Sequence, residues 1–133
     1  MSAAPDSQDR MFNHAVVEPI DAALTHEMLA FGRLHYPPGD PYTSVAYRQW
    51  LYLDNPAGAA RAVLIRQRET LIGQAALVPL HLLVPGGQVR KGYFVVDVLT
   101  HPEFRNLRLF SHIIDAALDH VRGEGSLLLG HPN

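Results

Sequence analysis

The sequence predicts an α+β fold, an α/β/α sandwich-like domain whose mixed sheet runs as an antiparallel meander followed by a βαβ unit. Two observations predict it. Between Arg61 and Thr100, three extended runs rich in aliphatic residues follow one another with only short turns between them. After Thr100 the period turns helical, and a short apolar run, SLLLG at 126–130, follows that helix. A strand, a helix and a strand within about thirty residues make a right-handed crossover, so the last strand is expected to run parallel to the one before the helix.

The chain of 133 residues has an apolar fraction of 47%, enough for one domain around its own core. Eleven Lys and Arg against thirteen Asp and Glu leave no basic field, which argues against nucleic acid and anionic membranes as partners. The absence of cysteine removes disulfides, thiolate metal sites and thiol nucleophiles. No two histidines stand at HxxxH spacing and no carboxylate cluster accompanies them, so no metal is expected. The apolar runs are too short to span a bilayer, and Met1 to Arg10 lacks the apolar centre of a signal peptide; a cytoplasmic protein is expected.

The opening MSAAPDSQDR is small, polar and charged, which predicts a disordered arm over residues 1–12, with order beginning near Asn13. His14 to Glu18 reads as a strand. Asp21 then N-caps a helix with Leu24, Met28 and Phe31 on one face, ending between Gly32 and His35. Three prolines and a glycine in YPPGDPY, 36–42, predict a loop without regular structure. Thr43 or Ser44 caps a second helix carrying Val45, Tyr47, Trp50, Leu51 and Leu53, which Asn55, Pro56 and Gly58 end. Trp50, Tyr47 and Tyr52 read as packing residues or as an aromatic wall for a substrate.

ARAVLIRQ, 60–67, and TLIGQAALVPLHLLV, 70–84, are strands joined by a turn at Arg68 and Glu69. Pro79 lacks a ladder donor, which predicts a bulge or bend there. PGGQ reverses the chain into the third strand, VRKGYFVVDVLT, 89–100. HPEFRN is then a polar turn, and Asn106 is the expected N-cap of an amphipathic helix, Leu107 to Arg122, burying Phe110, Ile113, Ile114, Ala117, Leu118 and Val121. A helix starting at the carboxyl end of a strand aims free N–H groups and a positive dipole end into the crevice there. Arg105 and Arg108 stand in that turn, either as phosphate contacts or as solvated helix-start residues.

The stretch VDVLTHPEFRNLRLFSHII resembles the acyl-CoA-binding motif of the GNAT superfamily of N-acyltransferases. WLYLDNPAG ahead of two strands, and LLLGHPN after the helix, resemble landmarks of a bacterial subgroup of that superfamily, so that the likeness runs over residues 16–133. The resemblance implies acetyl-CoA as acyl donor, an unknown primary amine as acceptor, and a donor site where the last two parallel strands splay apart. It assigns the main chain of Val98, Leu99 and Thr100 to the acyl-pantetheine part. Arg105, Asn106, Leu107, Arg108, Leu109 and Phe110 would wrap the pyrophosphate. An N–H near Leu99 is the oxyanion donor it implies. Asp97 and His101 are the nearest candidates for general base. Each has a structural alternative: Asp97 as a hydrogen-bonded acid at a strand irregularity, and His101 as a residue that shapes the turn before Pro102. His131 is expected at the end of the parallel strand, on the same side of the sheet as His101.

Two departures accompany the resemblance. Where the family turn reads RGxG, this chain carries Asn106 and Arg108. The family domain also continues through another helix and two strands, so the sequence reads as truncated at its C-terminal side. The strand at 126–130 is then expected to pair with a second copy or with a complementing segment. The alternative function is a non-catalytic module of the same fold that binds CoA weakly or binds a partner protein.

Overall fold

The computed structural model describes residues 12–130. The arm at 1–11 and His131 lie outside the described residues. Five strands form one sheet in the order of the chain: β1 (Val16–Pro19), β2 (Arg61–Gln67), β3 (Thr70–Leu83), β4 (Val89–Thr100) and β5 (Leu127–Leu129). Neighbours from β1 to β4 are antiparallel, and β5 runs parallel to β4, as the predicted crossover requires. Helices cover both faces of this mixed sheet. On one face α1 (Ala22–Gly32) and α2 (Val45–Arg48, continuing as a π-helical turn, Gln49–Leu53) bury Leu24, Met28, Phe31 and Tyr52 against Ala62, Leu64 and Val78. On the other, α3 (Leu109–Glu124) packs Leu109, Ile113, Ala117 and Val121 on Val63, Ile65 and Leu77. Phe12 joins this second core, edge-on to His112 at 5.3 Å, so packing starts one residue before Asn13.

Several local expectations hold. Asp21 caps α1 by accepting the Leu24 N–H at 2.8 Å, and Ser44, not Thr43, caps α2 through the Tyr47 N–H at 3.2 Å. The proline-rich segment differs from the expected irregular loop. Asp40 accepts the Tyr42 N–H at 2.9 Å and starts a 3-10 turn at Pro41–Thr43, whose first position needs no donor. The apolar face expected for α2 is also corrected. Trp50 is 59% and Val45 42% exposed, whereas Arg48 and Tyr52, one turn apart, have no exposed surface. A buried carboxylate on β4 turns the helix that way, as described below.

Pro79 causes no bulge. It pairs with Tyr93 of β4, while β2 stops opposite Leu77, so the side of β3 that lacks a donor faces no strand. Its carbonyl, on that same side, accepts from Asn55 Nδ2 at 3.2 Å. The irregularity of β3 with β4 falls elsewhere: Gln74 pairs with Leu99 and Ala76 with Val96, so Asp97 and Val98 together oppose Ala75. The start of α3 is likewise later than expected. Pro102–Leu107 form a 3-10 stretch, Asn106 is not the N-cap, and Arg108 holds that position with φ +60°. Gly125, φ +68°, ends α3 by donating to the Arg122 carbonyl at 3.0 Å. Among the described residues no helix is long and apolar enough to cross a membrane.

Candidate functional site

The parallel pairing of β5 with β4 covers three residues, Gly92, Tyr93 and Phe94, and stops where Phe94 faces Leu129. From Val95 to Thr100 no strand among the described residues lies beside this edge of β4, and every second residue there turns its main-chain groups into the gap. A cleft of about 660 Å³ fills this gap, lined by Val95 to Leu99, by Phe110 and Ile114 of α3, by Gly130, and from the opposite face by Tyr36 and Tyr42. It therefore reaches through the sheet from the α3 face to the face of α1 and α2.

At the mouth of the cleft on the α3 side, the first turn of the helix has no side-chain cap. The first N–H groups of an α-helix have no partner within it, and they carry the positive end of its dipole. Arg108 enters this turn in the left-handed conformation, which favours glycine and which an L side chain adopts at a cost of about 1 kcal/mol. The position where the sequence departs from a family glycine is thus one where the backbone suits a glycine. Arg105 and Arg108 are both exposed at the turn. Phe110 is 58% exposed beside the cleft, whereas Leu109 is buried in the core and offers only its main chain. Leu107 is partly buried against the α3-side core. The carbonyl of Thr100 accepts from His35 Nε2 at 2.9 Å, so that end of β4 is held by α1's C-terminal turn.

Asp97 occupies the bulge with φ +58°. The residue is 5% exposed and its side chain not at all, so only its main chain meets the cleft. Its carboxylate accepts from Arg48 Nη1 at 2.7 Å, Tyr36 Oη at 2.8 Å, Tyr52 Oη at 3.0 Å and Gln74 Nε2 at 3.1 Å. Arg48 in turn donates its Nε–H to the Tyr42 carbonyl at 2.6 Å and stands over the Tyr42 and Tyr52 rings. A Cβ on Gly32 would stand 2.7 Å from Arg48 Nη2, so the glycine that ends α1 makes room for the guanidinium. Burial, followed by the Asp97 charge, pushes the Tyr36 and Tyr52 phenols far above their ordinary value, and burial, then Tyr47, does the same to Tyr42. These hydroxyls stay protonated.

The general-base expectation for Asp97 is corrected by this geometry, because an enclosed carboxylate already holding four donors is an anchor. His101 stands outside the cleft lining. Its Nδ1 accepts the Glu103 N–H at 3.2 Å, and its ring lies edge-on to Phe104 at 5.4 Å, which is the turn-shaping alternative. Of the expected donor-site residues, Val98, Leu99 and Phe110 line the cleft. The sequence reading missed Tyr36, Tyr42, Arg48 and Gln74. A signal existed for Gln74, a lone polar residue inside IGQAAL, as Asp97 is inside FVVDVL.

A mixed sheet parted at its fourth and fifth strands, with an uncapped helix beginning at the opening, defines a fold of the acyl-CoA acetyltransferase class. The sequence matches the Acetyltransferase (GNAT) domain family over residues 16–131, and the chain belongs to that family. No curated protein matches it. Among solved structures it is similar to a predicted acetyltransferase from Clostridium acetobutylicum determined with acetyl-CoA, at TM-score 0.69 and 9% identity, covering 90% of this chain and 81% of the other. A ribosomal-protein-alanine N-acetyltransferase from Brucella melitensis biovar Abortus 2308 matches at TM-score 0.65 and 20% identity, over 91% and 82%. An aminoglycoside acetyltransferase from an uncultured soil sample matches at TM-score 0.67 and 16% identity, over 91% and 81%.

Proposed function

We propose that this chain transfers an acyl group, acetyl in the first instance, from acyl-CoA to a primary amine. The parting of β4 from β5 beside the uncapped start of α3 carries the reading. In this reading the pyrophosphate lies on the first N–H groups of α3, with Arg105 and Arg108 as phosphate contacts. The pantetheine arm runs along the open edge of β4, where its amides replace the missing strand pairing, and the thioester reaches the bulge at Asp97 and Val98. The relatives include enzymes named for a ribosomal-protein alanine and for aminoglycosides, so acceptor choice rests on local lining and not on the fold.

The chemistry asks for few groups. The neutral amine attacks the thioester carbon, a C–N bond forms, and the carbonyl oxygen takes the negative charge, which a main-chain N–H near Leu99 stabilises. The intermediate then expels the CoA sulfur, the C–S bond breaks, the nitrogen loses a proton and the thiolate gains one. Tyr36 and Tyr42 line the cleft with phenols held protonated, and Tyr36 already donates to Asp97, so we assign them to shaping the cleft, and the proton shed by the nitrogen reaches the thiolate through water. Asp97 acts indirectly, since its bonds to Arg48, Tyr52 and Gln74 fix the bulge that presents the Val98 and Leu99 main chain.

Incubation with acetyl-CoA and a broad panel of amines, following free thiol, tests the reading. Amine-dependent thiol release is expected, and release no faster than the amine-free control across the panel would overturn catalysis.

A further inference from the structure

A second concavity of about 520 Å³ lies on the face of α1 and α2 and shares Tyr42 and Val96 with the acyl-CoA cleft. Its floor is Val78, Phe94 and Val96, so it begins where β5 ceases to pair with β4. Leu51 and Leu80 add aliphatic surface, and Tyr47 adds a ring edge-on to Tyr42 at 5.4 Å. Among the described residues that line it there is no Asp, Glu, Lys or Arg, and His81 is the one basic side chain. The Asn55 amide is already committed, donating to the Pro79 carbonyl and accepting the Ala57 N–H at 2.9 Å.

We propose that this groove holds the acceptor, and that the acceptor is a small primary amine on an apolar, ring-bearing body, an arylalkylamine in chemical class. The inference rests on the acyl-transfer reading and deepens it. The shared residues Tyr42 and Val96 place the groove within reach of the thioester, and its volume leaves ample room for an aromatic body with an amine arm. The lack of a carboxylate in its lining decides between acceptor types. A polycation would bring several ammonium groups against aromatic and aliphatic walls with no carboxylate to pair them, and each unpaired charge weakens binding. A monoamine reacts in its neutral form and leaves only its apolar body to be covered, which these walls favour.

The test measures kcat/KM for phenethylamine and tryptamine against spermidine and neamine at saturating acetyl-CoA, in wild type and in Leu80→Glu, a half-buried rim position. The arylalkylamines are expected to lead by at least about tenfold, with Leu80→Glu erasing that lead while the melting temperature moves little. A preference for the polycations, or a Leu80→Glu variant with unchanged selectivity, overturns the inference and leaves the acyl-transfer reading standing. Calorimetry on the same preparations separates the two ideas further. If CoA fails to bind, the acyl-transfer reading falls; phenethylamine binding to wild type and not to Leu80→Glu would still support the groove, and its absence would sink it.

Discussion

The bulge at Asp97 and the turn at Arg108 are two non-glycine positions with left-handed backbone, on either side of the same cleft, and they are built in opposite ways. At the bulge the strained residue is enclosed, and four side chains from α2, β3 and the loop after α1 converge on its carboxylate. At the turn the strained residue is exposed, and no side chain caps the helix it begins. One region spends its polar groups on itself and so fixes a shape; the other leaves donors and charge open to an anion. Strain at the bulge is over-determined by its surroundings, whereas strain at the turn is expected to be relieved by ligand.

The largest way to break this contrast is to remove Arg48. Arg48→Met leaves the Asp97 carboxylate buried beside neutral donors only, and unfolding free energy is expected to fall by about 3–5 kcal/mol, read from urea midpoints. A loss within about 0.5 kcal/mol would mean that the cluster is not closed as described. The phenols extend the same point to pH. Tyr36 and Tyr52 have raised folded values, so their contribution is complete below the unfolded value near 10 and is lost as pH rises toward the folded values. Stability should decline above about pH 10, by up to about 1.4 kcal/mol per pH unit for each phenol, and Tyr52→Phe should flatten that slope.

At the turn the expected effects are smaller and of opposite sign. Arg108→Gly removes left-handed strain and is expected to leave stability unchanged or raise it by up to about 1 kcal/mol. The same change should weaken CoA binding by about 1.5–3 kcal/mol, through loss of a charged hydrogen bond to phosphate. Stronger CoA binding in the variant would show that the side chain obstructs the pyrophosphate. The smallest effect belongs to the surface pair of Arg66 and Glu27, 2.9 Å apart at Nη2 and Oε1. The Arg66 hydrogen bond holds the Glu27 carboxyl below its usual range, so its contribution is present above the unfolded value and fades as pH falls through the folded one. Glu27→Gln should cost less than about 1 kcal/mol near neutrality and nothing in strong acid, because the pair is partly exposed.

The sheet was legible because strand signals are local. Alternating aliphatic runs, the PGGQ reversal and the period change after Thr100 required no knowledge of distant residues. The family motif located the cleft for the same reason, being one contiguous stretch from strand to helix. The bulge cluster was not legible, since Arg48, Gln74 and Asp97 are brought together only by folding, and Arg48 in an otherwise aromatic helix reads as a solvated charge. Trp50 misled in the complementary way: its size marks it for the core, but the demand of a buried carboxylate rotated α2 until Arg48 faced inward. Asn106 looked like a cap by residue type, while Pro102 and the 3-10 stretch delayed the helix to Leu109.

The central claim is that the uncapped start of α3 and the open edge of β4 hold acyl-CoA. Calorimetric titration of CoA into wild type and Phe110→Asp tests it most directly, because Phe110 is exposed in the first turn beside the cleft. A carboxylate there suits the helix dipole, so the variant should melt no lower than wild type, yet it opposes a pyrophosphate. The account predicts micromolar binding by wild type and at least about tenfold weaker binding by Phe110→Asp at equal thermal stability. Equal affinity in the two proteins, or no binding by a well-folded wild type, would contradict it.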